Sequence, residues 1–216
     1  LVIARRSSVG SAPTGGRPPG VSTTSRTPRV QAGEAYSCAT SLRSSPTSTR
    51  SNCTLVAARK FATTDNPQAI AFSAPTGSGK TIIMTALFAA ILDQPDDELA
   101  WPLDWAPQPD AVILWISDMP ELNEQTRLKI ESKSDKVYRV NQLITIDAHF
   151  DAPQLQGGRV YFINTQKLAV NQPLTNRGDG RQHLIWETLT NTARAIPDRF
   201  YVVIDEAHRG MTSGRG

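Results

Sequence analysis

Cysteine is scarce in this chain, and no apolar run is long enough to cross a membrane. Only Cys38 and Cys53 occur among 216 residues, and both lie in a stretch without sustained periodicity, so they indicate neither a metal site nor a disulfide framework. This cysteine usage favours a reduced, cytoplasmic setting. The longest apolar run, Ile82–Leu92, is interrupted only by Thr85 and falls well short of the roughly 20 residues of a membrane-spanning helix. The sequence therefore predicts no membrane insertion.

Acidic residues are nearly absent from residues 1–60. Glu34 is the one acid there beside nine Lys or Arg, a net charge of +8, whereas residues 61–216 hold 14 basic and 19 acidic residues, a net charge of −5. A segment rich in Ser, Thr, Gly and Pro buries too little apolar surface to offset its ordering entropy. We therefore expect a disordered segment before a globular domain that spans 61–216. Three interpretations of 1–60 stay open: a basic arm that contacts nucleic acid, an organellar transit peptide, or a stretch that is not native coding sequence.

A glycine-rich loop between two apolar runs is the most informative motif. Residues 73–81 read SAPTGSGKT, with the run Ala69–Phe72 before them and the run Ile82–Leu92 after them. A strand, a glycine loop and a helix in this order are typical of a phosphate-binding loop. Glycine leaves the backbone N–H groups accessible to a polyphosphate, and the helix directs its N-terminal N–H groups at the same ligand. A Gly/Ser turn that happens to precede a helix is the weaker alternative, because both flanks fit the motif.

Two residues of this loop have distinct expected roles. Lys80 can reach the β- and γ-phosphates, and the Thr81 hydroxyl can bind Mg²⁺. Ala74 takes the place of glycine at the first position of the pattern, and a small residue still fits there. The residues predicted to hold the nucleotide are Pro75, Thr76, Gly77, Ser78, Gly79, Lys80 and Thr81.

Strands and helices alternate through the rest of the chain. The predicted strands are Ala69–Phe72, Ala111–Ile116, Leu143–Ile146, Arg159–Ile163 and Phe200–Ile204. The predicted helices are Thr81–Leu92, a second from Pro120 to about Ser132 with Asp118 as its cap, and a third within Gln182–Ile196. This alternation predicts an α/β fold with a mostly parallel sheet flanked by helices, and ligands at the carboxyl ends of the strands.

Aromatic and imidazole side chains give weaker signals. Residues 93–110 contain four prolines, so we expect a loop or insertion there. Trp101 and Trp105 in this loop could stack on a base, but packing onto the domain is the favoured interpretation. His149 and His183 have no partner motif, and we expect them to be surface or structural residues.

Two acids follow the last predicted strand. Asp205 and Glu206 come directly after the apolar run Phe200–Ile204. At the carboxyl end of a strand, beside a phosphate-binding loop, Asp205 can hold Mg²⁺ and Glu206 can orient and deprotonate an attacking water. A solvated turn with adjacent acids would be an equally good interpretation if the glycine loop were not present.

These motifs together resemble a known family. Residues 75–81 and 204–209, PTGSGKT and IDEAHR, look like motifs I and II of superfamily 2 DEAD/DEAH-box helicases and translocases. Residues 115–127 are similar to motif Ia in the Res subunits of type III restriction enzymes, and residues 160–168 resemble the next strand and turn of that group. The resemblance covers about residues 65–216 and implies a RecA-like fold.

The resemblance also implies an activity and roles for individual residues. Family members bind ATP and Mg²⁺ between two RecA-like domains and couple hydrolysis to movement along nucleic acid. By resemblance, Lys80, Thr81, Asp205 and Glu206 would carry the ATP chemistry, and His208 would couple the ATP site to later motifs. Duplex DNA is the implied substrate, and a modification methyltransferase subunit is a possible partner. The residues that would contact the nucleic-acid backbone are Gln125, Thr126 and Thr165.

The sequence departs from the family after His208. It ends at Gly216, before motif III and the second RecA-like domain with its catalytic arginines. We therefore expect the ATP-binding part of a larger DNA helicase or translocase of restriction type, weakly active or inactive alone. An RNA helicase ATPase domain and a truncated nucleotide-binding module without turnover remain as alternatives.

Overall fold

The computed structural model describes residues 1–5, 35–37, 68–73, 79–93, 106–133, 142–178 and 180–207. Several predictions fall outside these ranges. They concern the front of the phosphate loop (Pro75, Thr76, Gly77, Ser78), the coupling residue His208, and Trp101, Trp105, Cys38 and Cys53.

The described residues form seven strands, three α-helices and one 3₁₀ helix. The strands are β1 Val2–Arg5, β2 Ala35–Ser37, β3 Gln68–Ser73, β4 Val112–Ser117, β5 Leu143–Thr145, β6 Arg159–Asn164 and β7 Phe200–Ile204. The helices are α1 Lys80–Leu92, α2 Pro120–Lys133 and α3 Ile185–Ala195, and the 3₁₀ helix spans Thr165–Leu168. All elements predicted from Ala69 onward are therefore confirmed, with bounds shifted by a few residues.

All seven strands belong to one sheet, whose order is β2-β3-β1-β7-β4-β6-β5. The pairs β2–β3, β7–β4, β4–β6 and β6–β5 are parallel, whereas β1 is antiparallel to both β3 and β7. The predicted mostly parallel α/β sheet is thus confirmed. The carboxyl ends of β4, β5, β6 and β7 share one edge of the sheet, where ligands bind in folds of this class.

Strands β1 and β2 are differences between expectation and structure, because the sequence predicts a disordered segment without strands within 1–60. Ile3 is fully buried and pairs with Ile70 on one side and Val203 on the other. The guanidinium of Arg5 lies 5.9 Å from the ring centroid of Tyr201. Four residues are too few to show periodicity, and pairing with two neighbouring strands decides the conformation instead of local propensity.

Two apolar layers cover the sheet. On one face, α1 packs its buried side chains against β4 and β6, and Phe88 meets Trp115 edge-to-face with ring centroids 6.0 Å apart. On the other face, α3 contributes Ile185, and Leu155 and Leu174 come from the connecting segments. Because β4 and β6 are apolar on both faces, their continuous apolar runs are explained by burial on both sides. No helix among the described residues has the length and apolarity to cross a membrane.

Candidate functional site

The N-terminus of α1 begins at a glycine with a left-handed backbone. Gly79 has a φ of 90°, a conformation that glycine adopts without steric cost. Its carbonyl accepts hydrogen bonds from Ile82 N at 2.9 Å and Ile83 N at 3.1 Å, which closes the first helical turn. The N–H groups of Lys80 and Thr81 precede that turn and have no acceptor within the helix. This geometry suits an anion at the helix N-terminus.

The carboxyl end of β7 places two acids beside β4. Asp205 N donates to Ile116 O at 2.9 Å, so backbone pairing with β4 continues through Asp205. Glu206 has a φ of 48°, which is unusual for a residue with a side chain, and its N–H donates to Asp205 Oδ1 at 3.0 Å. A sharp turn therefore follows the strand and redirects the chain at Glu206.

The turn after β7 brings Glu206 to the lysine of the phosphate loop. Glu206 Oε1 lies 3.5 Å from Lys80 Nζ, and the two side chains are 26% and 22% exposed. Both groups are thus partly accessible, and phosphate oxygens can compete with the carboxylate for the ammonium. The structure therefore brings Lys80, from the predicted phosphate loop, and Glu206, from the predicted acidic pair, together at the carboxyl edge of the sheet.

The chemistry of the described donors fits a nucleotide with magnesium. The Thr81 hydroxyl and the Asp205 carboxylate are hard oxygen donors, as Mg²⁺ prefers. No group of three or more His, Cys, Asp or Glu that could hold a metal occurs among the described residues. A magnesium ion bound by one or two protein oxygens, with phosphates and waters as its other ligands, does not require such a group.

The residues predicted to contact nucleic acid lie at the β4 and β6 ends of the same edge. Thr165 is exposed at the start of the 3₁₀ helix, and its hydroxyl donates to Asp118 Oδ1 at 3.2 Å. Gln125 is exposed on α2, whereas Thr126 is only 7% exposed. Helix α2 begins at Pro120, directly after Met119. Asp118 lies one residue earlier, and its hydrogen bond with Thr165 links the turn after β4 to the turn after β6.

Buried polar side chains shape these turns, and the sequence reasoning did not single them out. Ser117 Oγ donates to Met119 O at 2.9 Å, and Asn164 Oδ1 accepts from Lys167 N at 2.9 Å. Lys167 Nζ in turn donates to Ile146 O at 2.6 Å, which ties the 3₁₀ helix to the segment after β5. The available signal was a polar residue at the end of each buried strand, where a side chain can satisfy the turning backbone.

A second set of polar contacts braces the loops beyond β5 and β6. Asp151 accepts from Gln182 N at 2.7 Å and from His183 N at 2.9 Å, and His183 Nδ1 lies 3.1 Å from Asp151 Oδ1. The hydrogen bond from Gln182 N, followed by those from His183, holds the pKa of Asp151 below its ordinary value. His183 therefore has a structural partner.

Comparison with known proteins agrees with the geometry. Residues 45–214, most of the chain, match the family described as "Type III restriction enzyme, res subunit". Searches of curated proteins and of solved structures give no significant match. The chain therefore belongs to the type III restriction enzyme Res subunit family and contains the ATP-binding, N-terminal domain of a superfamily 2 helicase.

Proposed function

We propose that this chain binds Mg²⁺-ATP at the edge of the sheet where Lys80 meets Glu206. In this proposal it serves as the ATPase part of a DNA helicase or translocase of restriction type. The observation that carries the proposal is the 3.5 Å approach of Lys80 Nζ to Glu206 Oε1. ATP hydrolysis in a site of this kind uses a cation that binds the phosphates and a group that orients the attacking water, and both must lie near the γ-phosphate.

Each residue of this edge has a proposed task. Lys80 and the N-terminal N–H groups of α1 bind the β- and γ-phosphates, and Thr81 and Asp205 hold Mg²⁺. Glu206 accepts a proton from the water that attacks the γ-phosphate. Magnesium, when bound, neutralises the charge that develops on the phosphate oxygens. Residues 75–78 as nucleotide-binding residues and His208 as the coupling residue stay predictions, because they lie outside the described residues.

The nucleic acid is proposed to lie across the ends of β4 and β6. Gln125 and Thr165 are exposed polar side chains there, as phosphate oxygens require. Thr126, at 7% exposure, is nearly buried and is therefore the least accessible of the three predicted contacts. Membership of a restriction-enzyme family favours duplex DNA, a second RecA-like domain and a modification subunit as partners, with 61–216 as the first RecA-like, ATP-binding domain.

ATP binding and hydrolysis by the full chain test this proposal. We expect Mg²⁺-ATP to bind, with DNA raising hydrolysis more than RNA of the same sequence does. Stronger stimulation by RNA would favour an RNA helicase domain. Binding without hydrolysis under any condition would indicate a nucleotide-binding module without turnover. Failure to bind ATP would contradict the proposal.

A further inference from the structure

A cavity of about 460 Å³, open to solvent, lies beyond the 3₁₀ helix, at the edge where β5 and β6 end. Its walls come from the segment after β5 and from residues 171–178 and 180–181, and its lining includes His149, Asn171, Gln172, Asn176 and Arg181. This volume falls within the range of about 300–1,000 Å³ that is usual for small-molecule sites. No part of the proposed ATP site contributes to the lining.

The walls of this cavity are held in place by hydrogen bonds. The guanidinium of Arg181 donates to Ala148 O and to Phe150 O, both at 2.6 Å, and so joins the two segments. The Thr175 hydroxyl donates to Ala169 O at 2.7 Å and closes the turn that carries Gln172. The cavity is therefore a braced feature of the fold.

The charges of the lining argue against a phosphate as the principal ligand. Among the described lining residues, Arg181 supplies the one permanent positive charge, and its N–H groups are engaged by backbone carbonyls. The carboxylate of Asp151, also in the lining, carries the opposite charge. A ligand that fits this nearly neutral site is uncharged and polar.

The amide side chains define the chemistry further. Within the described part of the chain, the amides of Asn171, Gln172 and Asn176 and the imidazole of His149 make no hydrogen bond to protein. Each amide offers donors and an acceptor in one plane, which is the pattern that Asn and Gln use on the edges of bases. The imidazole of His149 adds a flat face on which a base can stack.

The position of the cavity connects it to the proposed nucleic-acid path. Asn171 lies six positions after Thr165, so their Cα atoms lie at most about 20 Å apart. Val170, next to Asn171, is 83% exposed and offers an apolar surface near the cavity. A strand that contacts Thr165 needs to continue for only a few nucleotides to reach the lining amides.

We propose that this cavity binds an unstacked nucleobase of the bound strand, through the amides of Gln172 and Asn176 and the imidazole of His149. The inference rests on the proposed function, because it requires that nucleic acid pass Thr165. It adds a contact to the base itself, whereas Gln125 and Thr165 are proposed to contact only the backbone.

The test compares two fluorescent single-stranded oligonucleotides of equal length, one of adenines and one with abasic sites at every second position. Both carry the same phosphates. We expect the full chain to bind the adenine strand roughly tenfold more tightly, as a few base contacts would produce. The double variant Gln172→Ala, Asn176→Ala is expected to remove most of this preference without changing affinity for the abasic strand.

Gln156→Ala is the matched control, because Gln156 is an exposed amide just before β6, at the opposite edge of the sheet. It should leave the preference unchanged. Equal affinity of the unmodified chain for both strands, or a preference that survives the double variant, would overturn the cavity inference and leave the proposed function standing. Failure to bind either strand would overturn the cavity inference alone if duplex DNA of the same sequence is still bound, and it would contradict the proposed nucleic-acid path as well if that duplex is not bound.

Discussion

Helices α1 and α3 begin in opposite ways. Within the described residues, no side chain caps α1, which starts after Gly79. At α3, Leu184 N donates to Glu187 Oε2 at 2.9 Å, and Arg177 Nη2 donates to Glu187 Oε1 at 2.6 Å. The N-terminal N–H groups of a helix need partners. In α3 the chain supplies one itself, whereas α1 has no side-chain cap among the described residues.

The two helices also differ in what holds them. Eight of the 13 residues of α1 are buried, but only three of the 11 residues of α3 are. Since α1 lacks a protein cap, burial must supply its stability. The contrast sharpens the proposal that the N-terminus of α1 binds phosphate whereas that of α3 is structural, and each prediction below tests one side of it.

The largest expected effect follows from Glu206→Gln. The amide cannot accept the proton of the attacking water, so we expect the weak ATP hydrolysis of this chain to fall to the background rate, as the contribution of about 10²–10⁴-fold from a general base implies. ATP binding should persist or tighten, because the carboxylate 3.5 Å from Lys80 Nζ no longer competes with phosphate. Nucleotide titration and a phosphate-release assay measure the two effects. Unchanged hydrolysis in this variant would show that Glu206 is not the base.

Core anchoring of α1 is tested by Phe88→Ala. Phe88 is fully buried against Trp115, and its truncation should lower the free energy of unfolding by about 3–5 kcal/mol. Ile82→Ala is the matched control on the same helix. Because Ile82 is 41% exposed, its truncation should lower the free energy of unfolding much less. Denaturant unfolding compares the variants, and equal losses would refute the claim that burial holds α1.

A smaller effect is expected from Glu187→Ala at the start of α3. Removing the carboxylate leaves Leu184 N without its cap, so the melting temperature should fall slightly while ATP binding stays unchanged. Thr190→Ala, at an exposed position of the same helix, is the control. A loss of ATP binding in Glu187→Ala would contradict the purely structural role assigned to the N-terminus of α3.

The smallest effect is a pH dependence of that cap. The hydrogen bond from Leu184 N, followed by that from Arg177, holds the pKa of Glu187 below its ordinary value of 4.5. Its stabilisation is therefore present above pH 4.5 and is lost as the pH falls through the lowered pKa. The stability difference between the unmodified chain and Glu187→Ala should shrink below pH 4.5. A difference that grows on acidification would contradict the assigned cap.

Local motifs explain why much of the fold and site could be predicted. The buried strands β4 and β6 read as continuous apolar runs, and the glycine loop and the two acids each lie within a few consecutive residues. Strand β1 could not be predicted, because its four residues acquire their conformation from β3 and β7. The link from Thr165 to Asp118 depends on strand order, which no local pattern encodes.

The cavity beyond the 3₁₀ helix was also beyond prediction. Its residues come from two connecting segments rich in Asn, Gln, Gly and Pro, which as a sequence indicate only loops. Their arrangement depends on long-range contacts such as that of Arg181 with Ala148 O. Side chains of this kind become candidates for binding only when the fold brings them together.

Titration of the full chain with ATP and Mg²⁺, beside Lys80→Ala, tests the central claim most directly. The ammonium of Lys80 makes a charge-assisted contact with phosphate in our account, so its loss should weaken binding by about tenfold or more. Lys129→Ala, an exposed lysine on α2, should bind as the unmodified chain does. Equal affinity of Lys80→Ala and the unmodified chain would show that the open end of α1 is not the nucleotide site.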